Sequence, residues 1–376
     1  MDTQIIVGAL IFNTVVNPYL SAPIGQFELY KAAREEIQDP SEVFSALATE
    51  HYAVILTLNS MGIDFSIISS DAKIIHPAIL KRLHKEGFKF LHFPDSINYQ
   101  SMRFPRDLAL RLTDDKCLID LDLKESLNIE TLPGKQIFWS PYGQGGRVHC
   151  RKKIFLIFER VFIARSCRSL QDIITKSMRF SAANLQDQTT ARHALESIGD
   201  LPFQHCRLFQ KSISRLVLLP ITVVFEETSS SRIYEIDDHV DRVSGLLEDG
   251  SGRLHLVVDP QIHSGWQGPD TKPEFGPEET IRKYRAACKQ AKIEVHTPKI
   301  SVPASIGFWQ DPQSLKVLMT SGDDEVENTV SDIVGRENVF TTSVPIKQFP
   351  AQCRAGIRCL INELPPWFTD LISSKK

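Results

Sequence analysis

Short pairs of apolar strands recur along this chain, and several are followed by a helix-spaced stretch and another strand. This repeat limits the fold more than any other feature. Leu108 to Leu112 and Cys117 to Leu123 read as two strands joined by the turn Thr113-Asp114-Asp115-Lys116. Val148 to Arg151, Ile154 to Phe158 and Val161 to Ala164 read as further short strands. Val240 to Leu247 pairs with Leu254 to Val258 across Glu248-Asp249-Gly250-Ser251-Gly252. Single strands are expected at Asp64 to Ile68, Lys89 to Phe93, Leu315 to Thr320 and Val339 to Thr342, and one bent at Pro220 over Leu216 to Phe225. Apolar spacing predicts helices over Ser41 to Met61, Pro77 to Glu86, Ser169 to Ile198, Glu278 to Lys292 and Asp324 to Val334. The class is therefore α/β. A doubly wound parallel sheet fits poorly, because tight hairpins alternate with crossover helices.

Composition removes several function classes. Lys plus Arg total 43 against 46 Asp plus Glu, a net charge of −3. That balance leaves no electrostatic footprint for bulk nucleic-acid or membrane-surface binding. No apolar run approaches the ~20 residues that span a bilayer. The stretch Ile5 to Phe12 lacks a basic segment before it and reads as a buried strand. A cytoplasmic location is the default expectation. The seven cysteines are Cys117, Cys150, Cys167, Cys206, Cys288, Cys353 and Cys359, with no C-x-x-C spacing. Most are expected to be small core hydrophobes in a reducing compartment.

Three segments place polar or reactive groups at the mouth of an apolar strand, where α/β scaffolds often carry their sites. They are Phe104-Pro105-Arg106-Asp107, Asp237-Asp238-His239-Val240-Asp241 and Gly356-Ile357-Arg358-Cys359. On a strand, His239 and Asp241 would face the same side. Each segment alone also has an ordinary reading: a core thiol, a solvated histidine, a surface ion pair. Trp309 is expected to pack, and Arg151-Lys152-Lys153 reads as a solvated turn. Gly143-Gln144-Gly145-Gly146 lacks the Lys and Ser/Thr of a phosphate loop.

In order, Arg106-Asp107, Gln144-Gly145-Gly146, His239-Val240-Asp241 and Cys359 resemble the pentein superfamily of guanidine-modifying enzymes. That superfamily includes arginine and agmatine deiminases, dimethylarginine hydrolases and amidinotransferases. The resemblance covers Ser41 to Leu364. It implies one catalytic domain over residues 1–376, a five-bladed α/β propeller of pseudo-fivefold ββαβ units around a central site.

The resemblance also implies roles. Cys359 would attack the guanidinium carbon and form a covalent thiouronium. His239 would protonate the leaving amine and then activate water. Asp107 and Asp241 would grip the planar cation through charge-assisted hydrogen bonds, with Arg106 and Gln144 beside them. No metal or organic cofactor is implied, the partner is a small guanidino substrate, and the oligomeric state is left open. The sequence departs from the family where a carboxylate precedes Gly-Gly: Gln144 stands there, and Arg147 follows the pair. A missing acid could be replaced by Asp237, Asp238 or Glu363; otherwise the substrate differs or the site is degenerate. The leading expectation is a deiminase-type hydrolase. An amidinotransferase and a non-catalytic binding protein are the alternatives.

Overall fold

The computed structural model describes residues 3–8, 51–70, 81, 83–94, 97, 105–114, 116–119, 133–139, 148–152, 154–158, 215–219, 223–225, 240–242, 244–258, 271–273, 277–299, 306–343 and 357–374. Expectations for Val161 to Ala164 and Ser169 to Ile198 lie outside these residues, as do Gln144, Arg147, Asp237, Asp238 and His239.

Five small mixed sheets share one pairing rule: an antiparallel pair whose second strand is joined by a parallel third. In sheet I, β1 (Gln4–Val7) pairs antiparallel with the last strand, β18 (Ile361–Leu364), and parallel with β2 (Phe65–Ser69). β3 (Lys89–His92) then adds to β2 in parallel. Sheet II is β4 (Ala109–Thr113), β5 (Lys116–Ile119) and β6 (Gln136–Trp139). Sheet III is β7 (Val148–Arg151), β8 (Ile154–Phe158) and β9 (Arg215–Leu219). In sheet IV, β11 (Ser244–Glu248) and β12 (Leu254–Val258) form the hairpin, and β14 (Ile293–His296) lies parallel to β12. Sheet V is β15 (Trp309–Gln310), β16 (Val317–Met319) and β17 (Val339–Thr341). A separate pair joins β10 (Val223–Phe225) to β13 (Thr271–Pro273).

The run Leu216 to Phe225 is thus two strands in different sheets rather than one bent strand. β9 ends at Leu219 in sheet III, and β10 begins at Val223 in the separate pair.

A parallel third strand requires a crossover, and helices supply it where that segment is described. Residues 51–60 are helical (α1) between β1 and β2. α2 (Pro277–Lys289) links β12 to β14, and α3 (Asp324–Val334) links β16 to β17. The signals at α3 are local. Asp323 caps its first turn by accepting from the Val326 amide. Val326, Val330 and Val334 form one buried stripe, and Gly335 stops the helix at φ 90°. α4 (Pro366–Ser373) follows β18.

The core is divided among the sheets. Alternation along β1 sends Ile5 and Val7 towards Val54 and Leu58 of α1, whereas Ile6 packs with Leu108, Phe368 and Ile372. Leu247 and Val257 join Val326 and Val330 on a third face. The Phe308 ring lies so close to Gly245 that any Cβ there would overlap it, so sheets IV and V meet backbone to ring.

Hydrogen bonds between first strands, or the turns that open onto them, join successive sheets. Asn362 of sheet I donates to the Pro105 and Ala109 carbonyls at the start of sheet II, at 2.7 and 2.8 Å. Arg106 Nη2 donates to the Val148 carbonyl of sheet III at 3.0 Å. His149 Nε2 lies 3.1 Å from the Ser244 carbonyl and hydroxyl oxygens of sheet IV. Gln310 of sheet V exchanges two 2.8 Å bonds with the Glu248 backbone. Trp309 Nε1 donates to Glu363 Oε1 at 2.8 Å, which returns to sheet I. Among the described residues, no helix is long and apolar enough to cross a membrane.

Candidate functional site

Three short 3-10 turns stand immediately before first strands: Pro105–Asp107 before β4, Val240–Arg242 before β11, and Ile357–Leu360 before β18. They hold Arg106 and Asp107, Asp241, and Arg358 and Cys359. The segments singled out in the sequence therefore occupy the same position in different sheets. A tight turn before a buried strand is where the chain can present a side chain without breaking a ladder.

This geometry corrects one expectation. Asp241 lies in a 3-10 turn, not on a strand, so two-residue alternation does not set its facing relative to position 239. The strand starts only at Ser244. Ser244 Oγ donates back to the Val240 carbonyl at 2.8 Å and pins the turn.

Cys359 and Asp241 meet. The thiol Sγ–H donates to Asp241 Oδ2 at 3.4 Å, and both residues are buried. The turn bearing Arg106 packs against the turn bearing Cys359. Asn362 fixes their relation, because its amide reaches over to Pro105 and Ala109 from the strand that Cys359 leads into. Arg106 is buried and is no surface ion-pair partner. The Asp107 backbone belongs to the same turn.

Charge in this region is mixed. Burial, then the like charge of Arg106, holds the Arg358 guanidinium well below its ordinary pKa; Glu363 and Cys359 oppose that shift. A guanidinium nonetheless keeps its proton at neutral pH. Two arginine cations and the Glu363 carboxylate thus share this part of the interior with the Cys359 thiol. Glu363 is held by the Trp309 indole, a polar role for Trp309 in addition to the expected packing.

The other described cysteines behave as core groups. Burial pushes Cys150 and Cys288 up to about 12, and it raises Cys117 further still. Arg106 lowers and Glu363 raises the Cys150 value, so that thiol lies within electrostatic reach of both.

Sequence reasoning missed Asn362, whose signal would be an amide on the strand after the cysteine, and the Trp309–Glu363 bond. It also misread Arg151. That side chain is half-buried, bonds Glu248 at 3.2 Å and reaches the Gln310 and Asp311 carbonyls.

No family model and no curated protein matches the chain. Among solved structures it is similar to SxtG, an amidinotransferase from Microseira wollei in the saxitoxin biosynthetic pathway. Identity there is 10%, with 96% of this chain and 93% of that one covered, at a TM-score of 0.39. It is also similar to the inosamine-phosphate amidinotransferase StrB1 from Streptomyces griseus, at 12% identity, 95% and 92% coverage and a TM-score of 0.37. A third is a cysteine-to-alanine mutant of AgrE in complex with L-arginine, at 8% identity, 96% and 40% coverage and a TM-score of 0.38.

Proposed function

We propose that this chain is a cysteine-dependent enzyme acting on a guanidino or amidino compound, with Cys359 as nucleophile. The single observation that carries this reading is the buried 3.4 Å contact between Cys359 and Asp241. A buried acid beside a buried thiol has little structural use, since a well-packed apolar pair would be as stable. It suits a site that receives a planar cation. The carboxylate grips the guanidinium through charge-assisted hydrogen bonds, and the cation in turn favours the thiolate over the thiol.

The proposed reaction has two halves. The Cys359 sulfur bonds to the guanidinium carbon, and a C–N bond breaks as His239 protonates the departing amine. Water, deprotonated by His239, then bonds to the same carbon and the C–S bond breaks. The products are a urea-type compound and the amine or ammonia. If an amine replaces water, the same steps give amidino transfer. Asp107 is the proposed second grip on the cation, and Arg106 and Gln144 are the further proposed substrate-binding residues.

The five sheets are read here as blades of a pseudo-fivefold α/β propeller forming one domain. Support comes from their common pairing rule and from hydrogen bonds linking I to II, II to III, III to IV, IV to V and V to I. A propeller of this order would gather the openings of the first strands around one central site.

The test is calorimetric titration of the Cys359→Ser protein with arginine, agmatine and a methylated arginine. Saturable binding of at least one supports the reading. Binding of none overturns it and leaves a different substrate class or a non-catalytic protein.

A further inference from the structure

Sheet IV carries a second cluster of ligand atoms, between its middle strand β12 and its edge strand β14. His255 of β12 and Glu294 and His296 of β14 each point one nitrogen or oxygen into a common space. The parallel register sets this up. His255 is paired with Glu294, and His296 lies two residues further along the same strand and hence on the same face.

The distances suit a small cation. His255 Nδ1 lies 3.0 Å from His296 Nε2 and 3.8 Å from Glu294 Oε2, and His296 Nε2 lies 4.0 Å from Glu294 Oε1. Ligands around a tetrahedral zinc, bonded at about 2.0–2.1 Å, stand about 3.3 Å from one another. The two Glu294 distances belong to different oxygens, and its half-exposed carboxylate must turn to bring one of them to both nitrogens.

The tautomer of His255 is also set. Its Nε2 donates to Asp249 Oδ2 at 3.1 Å, so the lone pair of Nδ1 faces the cluster. Asp249 is itself fixed, because its Oδ1 accepts from the Ser251 and Arg253 amides and the Ser251 hydroxyl. A carboxylate that orients a ligating histidine through its other nitrogen is a recurrent support for metals.

We propose that His255, His296 and Glu294 bind one first-row divalent metal ion, zinc in the first instance, with Asp249 as a positioning residue. Two imidazoles and a carboxylate match zinc, cobalt or nickel rather than calcium or magnesium. Without metal, His296 Nε2–H can donate to His255 Nδ1; on binding, that proton moves to His296 Nδ1 and both rings remain neutral. Arg253, whose guanidinium lies 3.9 Å from Glu294, gives up that contact. The bound ion would clamp β12 to β14 across the His255–Glu294 and Val257–His296 pairs.

The probes are zinc by calorimetry and cobalt by visible absorption, on the full chain stripped with chelator. The parent should bind one equivalent of zinc at this site, with a tetrahedral cobalt spectrum and a raised melting temperature. Glu294→Gln and His296→Gln, at exposed and half-buried positions, should each lose that equivalent or weaken it by more than tenfold. Asp249→Asn keeps the turn contacts of Oδ1 but donates to His255 Nε2, which forces the proton onto Nδ1. It should weaken zinc about 10–100-fold and abolish the cobalt spectrum. No saturable equivalent in the parent, or equal affinity in His296→Gln, overturns the proposal.

Discussion

The Cys359 sulfur lies 3.4 Å from the Asp241 carboxylate across 118 residues of sequence. Neither residue sits on a regular strand; each is held by a 3-10 turn that opens onto one. The contact couples the first strand of sheet I to that of sheet IV.

Removing the charge of Asp241 while keeping its shape should therefore be costly for a cation. Asp241→Asn is expected to weaken a guanidino ligand by about 2–5 kcal/mol, the usual cost of breaking a buried charged hydrogen bond. Calorimetry on the Cys359→Ser background checks it. An unchanged Kd would remove Asp241 from the site.

Asn362 should matter for stability rather than chemistry. Its amide nitrogen satisfies two backbone carbonyls, at Pro105 and Ala109. Asn362→Ala removes both bonds at a buried position; the Pro105 carbonyl keeps the Leu108 amide, at 3.0 Å, so the expected cost is about 1–3 kcal/mol in all. Urea unfolding should show a loss of about 1–3 kcal/mol, and an unchanged midpoint would contradict it.

Cys288 gives a pH signature. Burial pushes its thiol up to about 12, from 9.0 for a free thiol. Between those values the unfolded chain loses the proton while the folded chain retains it. The associated stability is complete below pH 9 and declines by about 1.4 kcal/mol per pH unit above it. Cys288→Ala should flatten the alkaline fall in stability relative to the parent between pH 9 and 11. Parallel curves would contradict that burial effect.

The strand pairs were legible because their turns are local: Asp249 and Gly252 close one hairpin, and the Thr113–Lys116 turn closes another. Helix α3 was legible to the residue, since its cap, apolar stripe and terminal glycine all lie within the segment. The misread strand start at Val240-Asp241 has a different origin. A 3-10 turn and the start of a strand carry the same apolar and polar letters, and Ser244 decides between them through a bond to Val240. The run Leu216 to Phe225 was read as one bent strand, although its two ends pair in different sheets. The Arg151–Glu248, Asn362–Pro105 and His255–His296 contacts join residues at least 41 positions apart. No local pattern announces such partners.

The central claim is that Cys359 attacks a guanidinium carbon. Acid quenching during turnover of arginine, agmatine or a methylated arginine, followed by peptide mass spectrometry, reads this directly. An amidino adduct is expected on the peptide containing Cys359, absent in Cys359→Ser, whose turnover is also lost. Turnover that persists in Cys359→Ser, or an adduct on another cysteine, would contradict it.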